Sequence, residues 1–277
     1  MSRSLRQTAR ALGCALLFLL PGAGSKAGEP GKLRILLLGD STTIGSVCRQ
    51  VDPSGPHLEQ VLAQAIQAET GRPAASIEVI NQGRDGETIE GLLASNRYTK
   101  EIQPLGSLDY VFIRYGINDS VRRADFNTNF PLDYHELIQR LRQNFPNAVI
   151  VPTFIIPYLG PERDQTINGL IQQVAESEKL PLFDLHAVYQ AQLEHGKNAL
   201  NYRRYPLAKI PNHQRGLAAP FLSGDEVRLM DNRLDPHFGH LPGWYDDRHP
   251  NLAGYHAIAA ATAQFLAPRL NPTEPGK

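Results

Sequence analysis

A chain of 277 residues with 42% hydrophobic residues can bury a full core, and one α/β domain of more than 200 residues is ordinary at this length. Its 28 basic and 28 acidic side chains balance to a formal charge of zero, which excludes the basic excess that a phosphate backbone would demand. No nucleic-acid partner is expected.

The first residues differ from the rest. Arg3, Arg6 and Arg10 precede an apolar run over 11–20, followed by Pro21 and small residues, which is the layout of a secretory signal peptide over 1–27. The run is shorter than the about 20 residues a membrane span needs, so no stable membrane insertion is expected. The mature chain, from residue 28, is expected to be secreted or periplasmic. A lipoprotein signal would place the apolar stretch before its cysteine, whereas here most of it follows Cys14. Cleavage leaves Cys48 with no partner for an intrachain disulfide, and a lone cysteine reads as a small buried apolar residue.

The mature chain opens on Arg34-Ile35-Leu36-Leu37-Leu38, a strand buried on both faces, which stops at Gly39-Asp40-Ser41. In an open α/β sheet, ligands sit at the carboxyl ends of strands, so Ser41 is a candidate nucleophile. Leu58, Val61, Leu62, Ala65 and Ile66 then share a helical face that Gly71 and Pro73 end. A second strand is predicted over 77–80, a loop over 81–86 and a helix over 87–98. A third strand over 110–113 runs into Arg114 and Gly116-Ile117-Asn118-Asp119. Helices are predicted over 131–144 and 167–178, a fourth strand over 148–151 and a short fifth at 182–183. This alternation predicts an α/β fold, a parallel sheet of about five strands with helices on both faces.

Between about 196 and 243 the alternation stops. Pro206, Pro211, Pro220, Pro236 and Pro242 stand among many charges, which reads as a long irregular insertion. Asn251 then suits the cap of an alanine-rich helix running to about 266, and the tail 271–277 is expected to fray. The domain proper is expected over 28–270.

A serine hydroxyl stays protonated near neutral pH and needs a base, an orienter for that base and donors for the oxyanion. His249 is the candidate base. Asp246, three residues earlier on a turn, is the expected orienter, with Asp247 its competitor and spacing favouring Asp246. The expected oxyanion donors are the amides of Ser41 and Gly83 and the side chain of Asn118. Asp40 is expected to hold its turn through backbone amides.

Gly39-Asp40-Ser41, Asn81-Gln82-Gly83, Gly116-Ile117-Asn118-Asp119 and Asp246-Asp247-Arg248-His249-Pro250 resemble, in order, the four blocks of the SGNH or GDSL hydrolase superfamily. The resemblance spans about 33–266 apart from the insertion. It implies a flavodoxin-like three-layer α/β/α sandwich, an esterase or acetylesterase activity, no metal or organic cofactor, and the same roles for Ser41, Gly83, Asn118, Asp246 and His249. Thr42-Thr43 follows the serine where many members carry a different pair.

Among the remaining candidates, Arg114 could touch an acidic substrate and Trp244 could stack on a sugar ring. Pairing with a carboxylate is the commoner fate of such an arginine, and packing that of Trp244, Tyr202, Tyr205 and Phe238. Asp235, His237 and His240 have metal-like spacing but no evident fourth ligand, so no metal is expected. The polar, charged insertion suits a hydrophilic small-molecule or polysaccharide ester, which favours O-acetyl groups on a carbohydrate; no partner protein is implied. A lysophospholipase or thioesterase, or a noncatalytic carbohydrate-binding relative, are the alternatives.

Overall fold

The computed structural model describes residues 31–194 and 199–271. The signal segment expected over 1–27, with Cys14, and residues 272–277 of the expected tail lie outside them.

Every side chain of strand β1 (Leu33–Gly39) except Arg34 is buried or lacking, because the pleat sends alternate residues to two separate cores. Leu33, Ile35 and Leu37 face one apolar cluster, while Leu36 and Leu38 face another. From β1 the chain passes through two short turns, α1 (Ser41–Ile44) and α2 (Ser46–Val51), into α3 (Leu58–Thr70) and β2 (Ile77–Gly83). Helix α4 (Ile89–Ala94) precedes β3 (Tyr110–Arg114), and α5 (Asp119–Arg122) and α6 (Phe126–Asn144) precede β4 (Val149–Pro152). Next come α7 (Pro161–Ser177) and α8 (Leu185–Glu194). The remainder holds β5 (Arg203–Pro206), α9 (Arg215–Ala218), β6 (Leu222–Ser223), β7 (Glu226–Leu229), α10 (Asp235–Phe238) and α11 (Leu252–Leu270).

The main sheet is parallel, in the order β2-β1-β3-β4. Helices α3, α8 and α11 pack on the Ile35 face; α4, α6 and α7 pack on the Leu36 face. That is the expected three-layer α/β/α sandwich. The fifth strand is reduced to one parallel bridge, Thr153 to Phe183, with the Phe183 amide donating to Pro152 O at 3.0 Å and the Phe154 amide to Phe183 O at 3.0 Å. Asp184 then caps α8 by accepting from the Ala187 amide at 2.9 Å, so helix begins where more strand would have lain.

Two differences from the sequence reading bear on the site. Strand β2 continues past Ile80 to Gly83, pairing Asn81 with Leu37, Gln82 with Leu38 and Gly83 with Gly39. The loop that follows therefore starts three residues later. The insertion, expected to be irregular, carries a three-stranded antiparallel sheet in the order β5-β7-β6 over its own apolar cluster of Tyr205, Ile210, Ala218, Val227, Leu229, Leu234, Phe238 and Trp244. Its strands have two to four residues, too short for their alternation to stand out in sequence. Among the described residues no helix is long and apolar enough to cross a membrane.

Candidate active site

Register aligns the carboxyl ends of β1, β2 and β3, since Gly39 pairs with both Gly83 and Arg114. The chain order reverses between β1 and β3, which opens a crevice above that edge. Ser41 stands there as the first residue of α1. Asp40 caps the turn, its Oδ1 accepting from the Thr42 amide at 2.9 Å and the Thr42 hydroxyl at 2.8 Å. Asp40 thus holds the serine turn, as expected, and burial pushes its carboxyl above the usual range despite those donors.

The opposite side of the crevice comes from the far end of the chain. His249 Nε2 lies 2.9 Å from Ser41 Oγ, and its Nδ1 lies 2.6 Å from Asp247 Oδ1. The carboxylate against the imidazole is therefore Asp247 and not Asp246, the expected one, which is exposed and has no hydrogen bond to the ring. The reason is local: Asp247 Oδ1 also accepts from the His249 amide at 3.1 Å, an Asx-type turn in which an aspartate reaches the backbone two residues on. That turn lays the Asp247 carboxylate alongside the ring. Burial works to raise the Asp247 carboxyl, but its bond to His249, the imidazole charge and Arg204 hold it below the ordinary carboxylate range. Arg204 Nε approaches Asp247 Oδ2 to 3.0 Å as an ion pair without hydrogen-bond alignment.

The histidine segment is fastened to the start of the insertion. The Tyr202 amide donates to His249 O at 2.8 Å, Asn201 bridges Pro250, and the Asn251 side chain donates to Ala199 O and Asn201 O at 2.8 and 3.1 Å. Asn251 also caps α11 through the Gly254 amide, as the sequence suggested. Tyr158, in the loop after β4, sets its hydroxyl 3.1 Å from Nδ1 and 3.2 Å from Nε2 of His249, with the two rings at 88°. Burial and the nearby Asp247 raise its ionisation, so it stays a phenol. Asp164 holds that loop by accepting from the amides of Tyr158 and Leu159.

For an oxyanion, the Ser41 amide is the first unpaired donor of its turn. The Asn118 side chain lines the same cavity, of about 540 Å³, bonded only weakly to Glu87 O at 3.4 Å. Gly83 does not belong to it. Its amide is taken by Asn81 Oδ1 at 3.0 Å, and a Cβ there would sit 2.5 Å from the Ile44 amide nitrogen, so this glycine serves the close approach of α1. Gly86 occupies the place instead: it lines the cavity, has φ +68°, and its amide donates to nothing among the described residues. Beneath this loop, the buried Glu87 accepts from Arg97 at 2.7 Å and from the Tyr115 hydroxyl at 2.5 Å. Asp119, fully buried, ties the two loops together by accepting from the amides of Ile89 and Gly116 at 2.8 and 3.1 Å. Burial pushes its carboxyl up to about 7.

The two expected substrate contacts lie elsewhere. Arg114 continues the Phe112 face of β3 and is buried under α3 and α11 beside Leu37, Leu58 and Leu62, its guanidinium pulled below its ordinary value by that burial. Trp244 is in the core of the insertion, its indole N–H donating to Asp235 Oδ1 at 2.8 Å. Tyr202, Tyr205 and Phe238 are also buried. Asp235 is further engaged by Arg203 at 2.6 Å, which spends the carboxylate considered as a metal ligand. Cys48 is buried, as expected, and burial pushes its thiol up to about 11.

The family model of the GDSL-like lipase/acylhydrolase family matches residues 37–206. No curated protein matches the sequence. Among solved structures, the chain is similar to LAE5, an alpha/beta hydrolase enzyme from the metagenome of Lake Arreo, Spain, at 22% identity and TM-score 0.53, covering 87% of this chain and 94% of that one. It is similar to Axe2, an acetylxylan esterase from Geobacillus stearothermophilus, at 19% identity and TM-score 0.52, covering 86% and 94%. A GDSL-like lipase described from Parabacteroides merdae matches at 15% identity and TM-score 0.54, covering 85% and 96%. At these identities the likeness is one of fold.

Proposed function

The chain belongs to the GDSL-like lipase/acylhydrolase family and is a carboxylic ester hydrolase, and from that premise we propose that Ser41, His249 and Asp247 form its catalytic triad. One observation carries this reading: a hydroxyl, an imidazole and a carboxylate in series, at 2.9 and 2.6 Å, at the carboxyl edge of a parallel sheet. Ser41 Oγ attacks the ester carbonyl while its proton passes to His249 Nε2. Asp247 keeps the imidazole in the tautomer with Nδ1 protonated and stabilises the imidazolium. The negative charge on the carbonyl oxygen meets the amides of Ser41 and Gly86 and the side chain of Asn118, each worth on the order of 10² to 10³ in turnover. His249 returns its proton to the leaving alcohol, and water then releases the acyl group from Ser41 by the same route in reverse.

The acyl group in this reading is small and the alcohol is a carbohydrate. The cavity around Ser41 is lined mainly by polar and charged side chains, which supports a hydrophilic ester over a long acyl chain. An acetylxylan esterase among the structures of like fold fits the same reading. The leading 27 residues support export as the setting. Ser41→Ala is expected to lower turnover of an acetyl ester by about 10⁴ or more with the fold retained. An unchanged rate overturns the triad; a preference for acyl chains beyond about eight carbons overturns the short-acyl assignment and favours a lipid ester.

A further inference from the structure

The pleat of the inserted sheet puts two arginines side by side at the mouth of the cavity. Strands β5 and β7 are antiparallel, and Arg204 pairs directly with Arg228. Their neighbours Arg203, Tyr205, Val227 and Leu229 are buried on the other face, so alternation directs Arg204 and Arg228 together to the face that lines the cavity above Ser41. Directly opposed like charges destabilise a strand pair, and nothing in the small core requires them.

Neither guanidinium is fully satisfied. Arg204 spends Nε on Asp247, and its two amino nitrogens make no hydrogen bond among the described residues. Arg228 donates to Gln50 Oε1 and to Glu226 Oε2 at 3.2 Å each, while its buried Nε has no partner among the described residues. A third arginine, Arg122, stands on the cavity wall and donates one nitrogen to Gly86 O. Asp85 is the carboxylate lining the cavity, and Arg204 and Arg228 are each paired on one edge only, with Asp247 Oδ2 at 3.0 Å and Glu226 Oε2 at 3.2 Å.

We propose that Arg204 and Arg228 form an anion clamp for the alcohol portion of the substrate, so that the ester this site hydrolyses carries a carboxylate or phosphate group near the scissile bond. The inference rests on the esterase reading above and narrows its substrate to acidic esters. An anion set between the two guanidiniums supplies acceptors for the free donors and relieves the repulsion across the strand pair.

The test uses matched acetyl esters of a methyl hexoside: the uronic acid, its uncharged uronamide and the neutral parent sugar's 6-phosphate. The wild-type protein is expected to prefer a charged ester over the uronamide by about tenfold or more in kcat/KM, mostly through KM, and to lose the preference as salt screens the clamp. Which charged ester leads separates a carboxylate from a phosphate ligand. Arg228→Gln is expected to collapse the ratio of charged to uncharged rates, and Arg228→Lys to restore part of it. The melting temperatures of both variants check that the fold is retained. Equal rates on all three esters, or a ratio indifferent to salt and to Arg228→Gln, overturn the clamp and leave the esterase reading intact. Hydrolysis of none of them, nor of a simple acetyl ester, overturns both.

Discussion

The parallel sheet and the inserted antiparallel sheet meet at one cavity but are built by opposite rules. In the first, long apolar strands are buried on both faces and the reactive groups emerge where those strands end, at Ser41 and Asn118. In the second, strands of two to four residues bury one face on a small aromatic core and offer the other, with Arg204 and Arg228, to the cavity. Under the proposed function, the contrast gives bond breaking to the sheet edge and discrimination to the insertion. It is also blurred at one point, because Arg204 from the insertion touches Asp247.

The sharpest way to break the contrast is to exchange carboxylates in the histidine segment. Asp247→Asn is expected to lower kcat by about 10³ to 10⁴, through loss of the correct imidazole tautomer, on neutral and charged esters alike. Asp246→Asn is expected to stay within about twofold, and kcat on one neutral ester compares the two; the reverse ranking would return the orienting role to Asp246. Next in size is the core of the insertion. Phe238→Ala is expected to cost about 3 to 5 kcal/mol there. Hydrogen exchange should show β5 and β7 losing protection while β1 and β3 keep theirs; equal loss in both sheets would mean a single cooperative unit.

A pH-dependent contribution to stability comes from the loop that follows β3 of the parallel sheet. The Asp119 carboxyl is raised to about 7, above its unfolded value, so the native state holds an extra proton between about pH 4 and 7. Its contribution to stability is complete below that window and falls as pH rises through it, by at most about 4 kcal/mol. Asp119→Asn should flatten the pH dependence of the melting temperature across this range, and an unchanged slope would assign it to other groups. The smallest expected effect is Gly83→Ala, about 1 to 3 kcal/mol of stability from the clash with the α1 backbone, with kcat little altered. A hundredfold loss of kcat in a folded Gly83→Ala protein would put that amide back in the oxyanion site in place of Gly86.

Much of this was legible in sequence where chemistry follows directly from a buried apolar run. Ser41 and Asn118 follow β1 and β3, whose unbroken hydrophobic residues mark them, and His249 precedes a capped helix. Gly86, which lines the cavity where Gly83 was expected, was missed because β2 carries on through polar Asn81 and Gln82, which its half-buried position allows and which periodicity reads as the end of a strand. Asp247 was weighed but ranked behind Asp246 because adjacent aspartates are chemically identical and only the Asx-type turn distinguishes them; the preference of aspartate for an amide two residues on was the available signal. The insertion was opaque for a different reason. Its core gathers single residues scattered from Tyr205 to Trp244, and no local pattern records that they converge.

The bonds that tie 199–202 to 249–251 limit how far this enzyme can be treated as a scaffold with an exchangeable cap. Grafting a foreign segment in place of everything between α8 and Trp244 would also cut loose the histidine, so a change meant for selectivity would be felt as a loss of turnover. Cuts placed after Pro206 and before Leu241 would spare that anchorage, and they mark the boundaries within which a new cap can be installed.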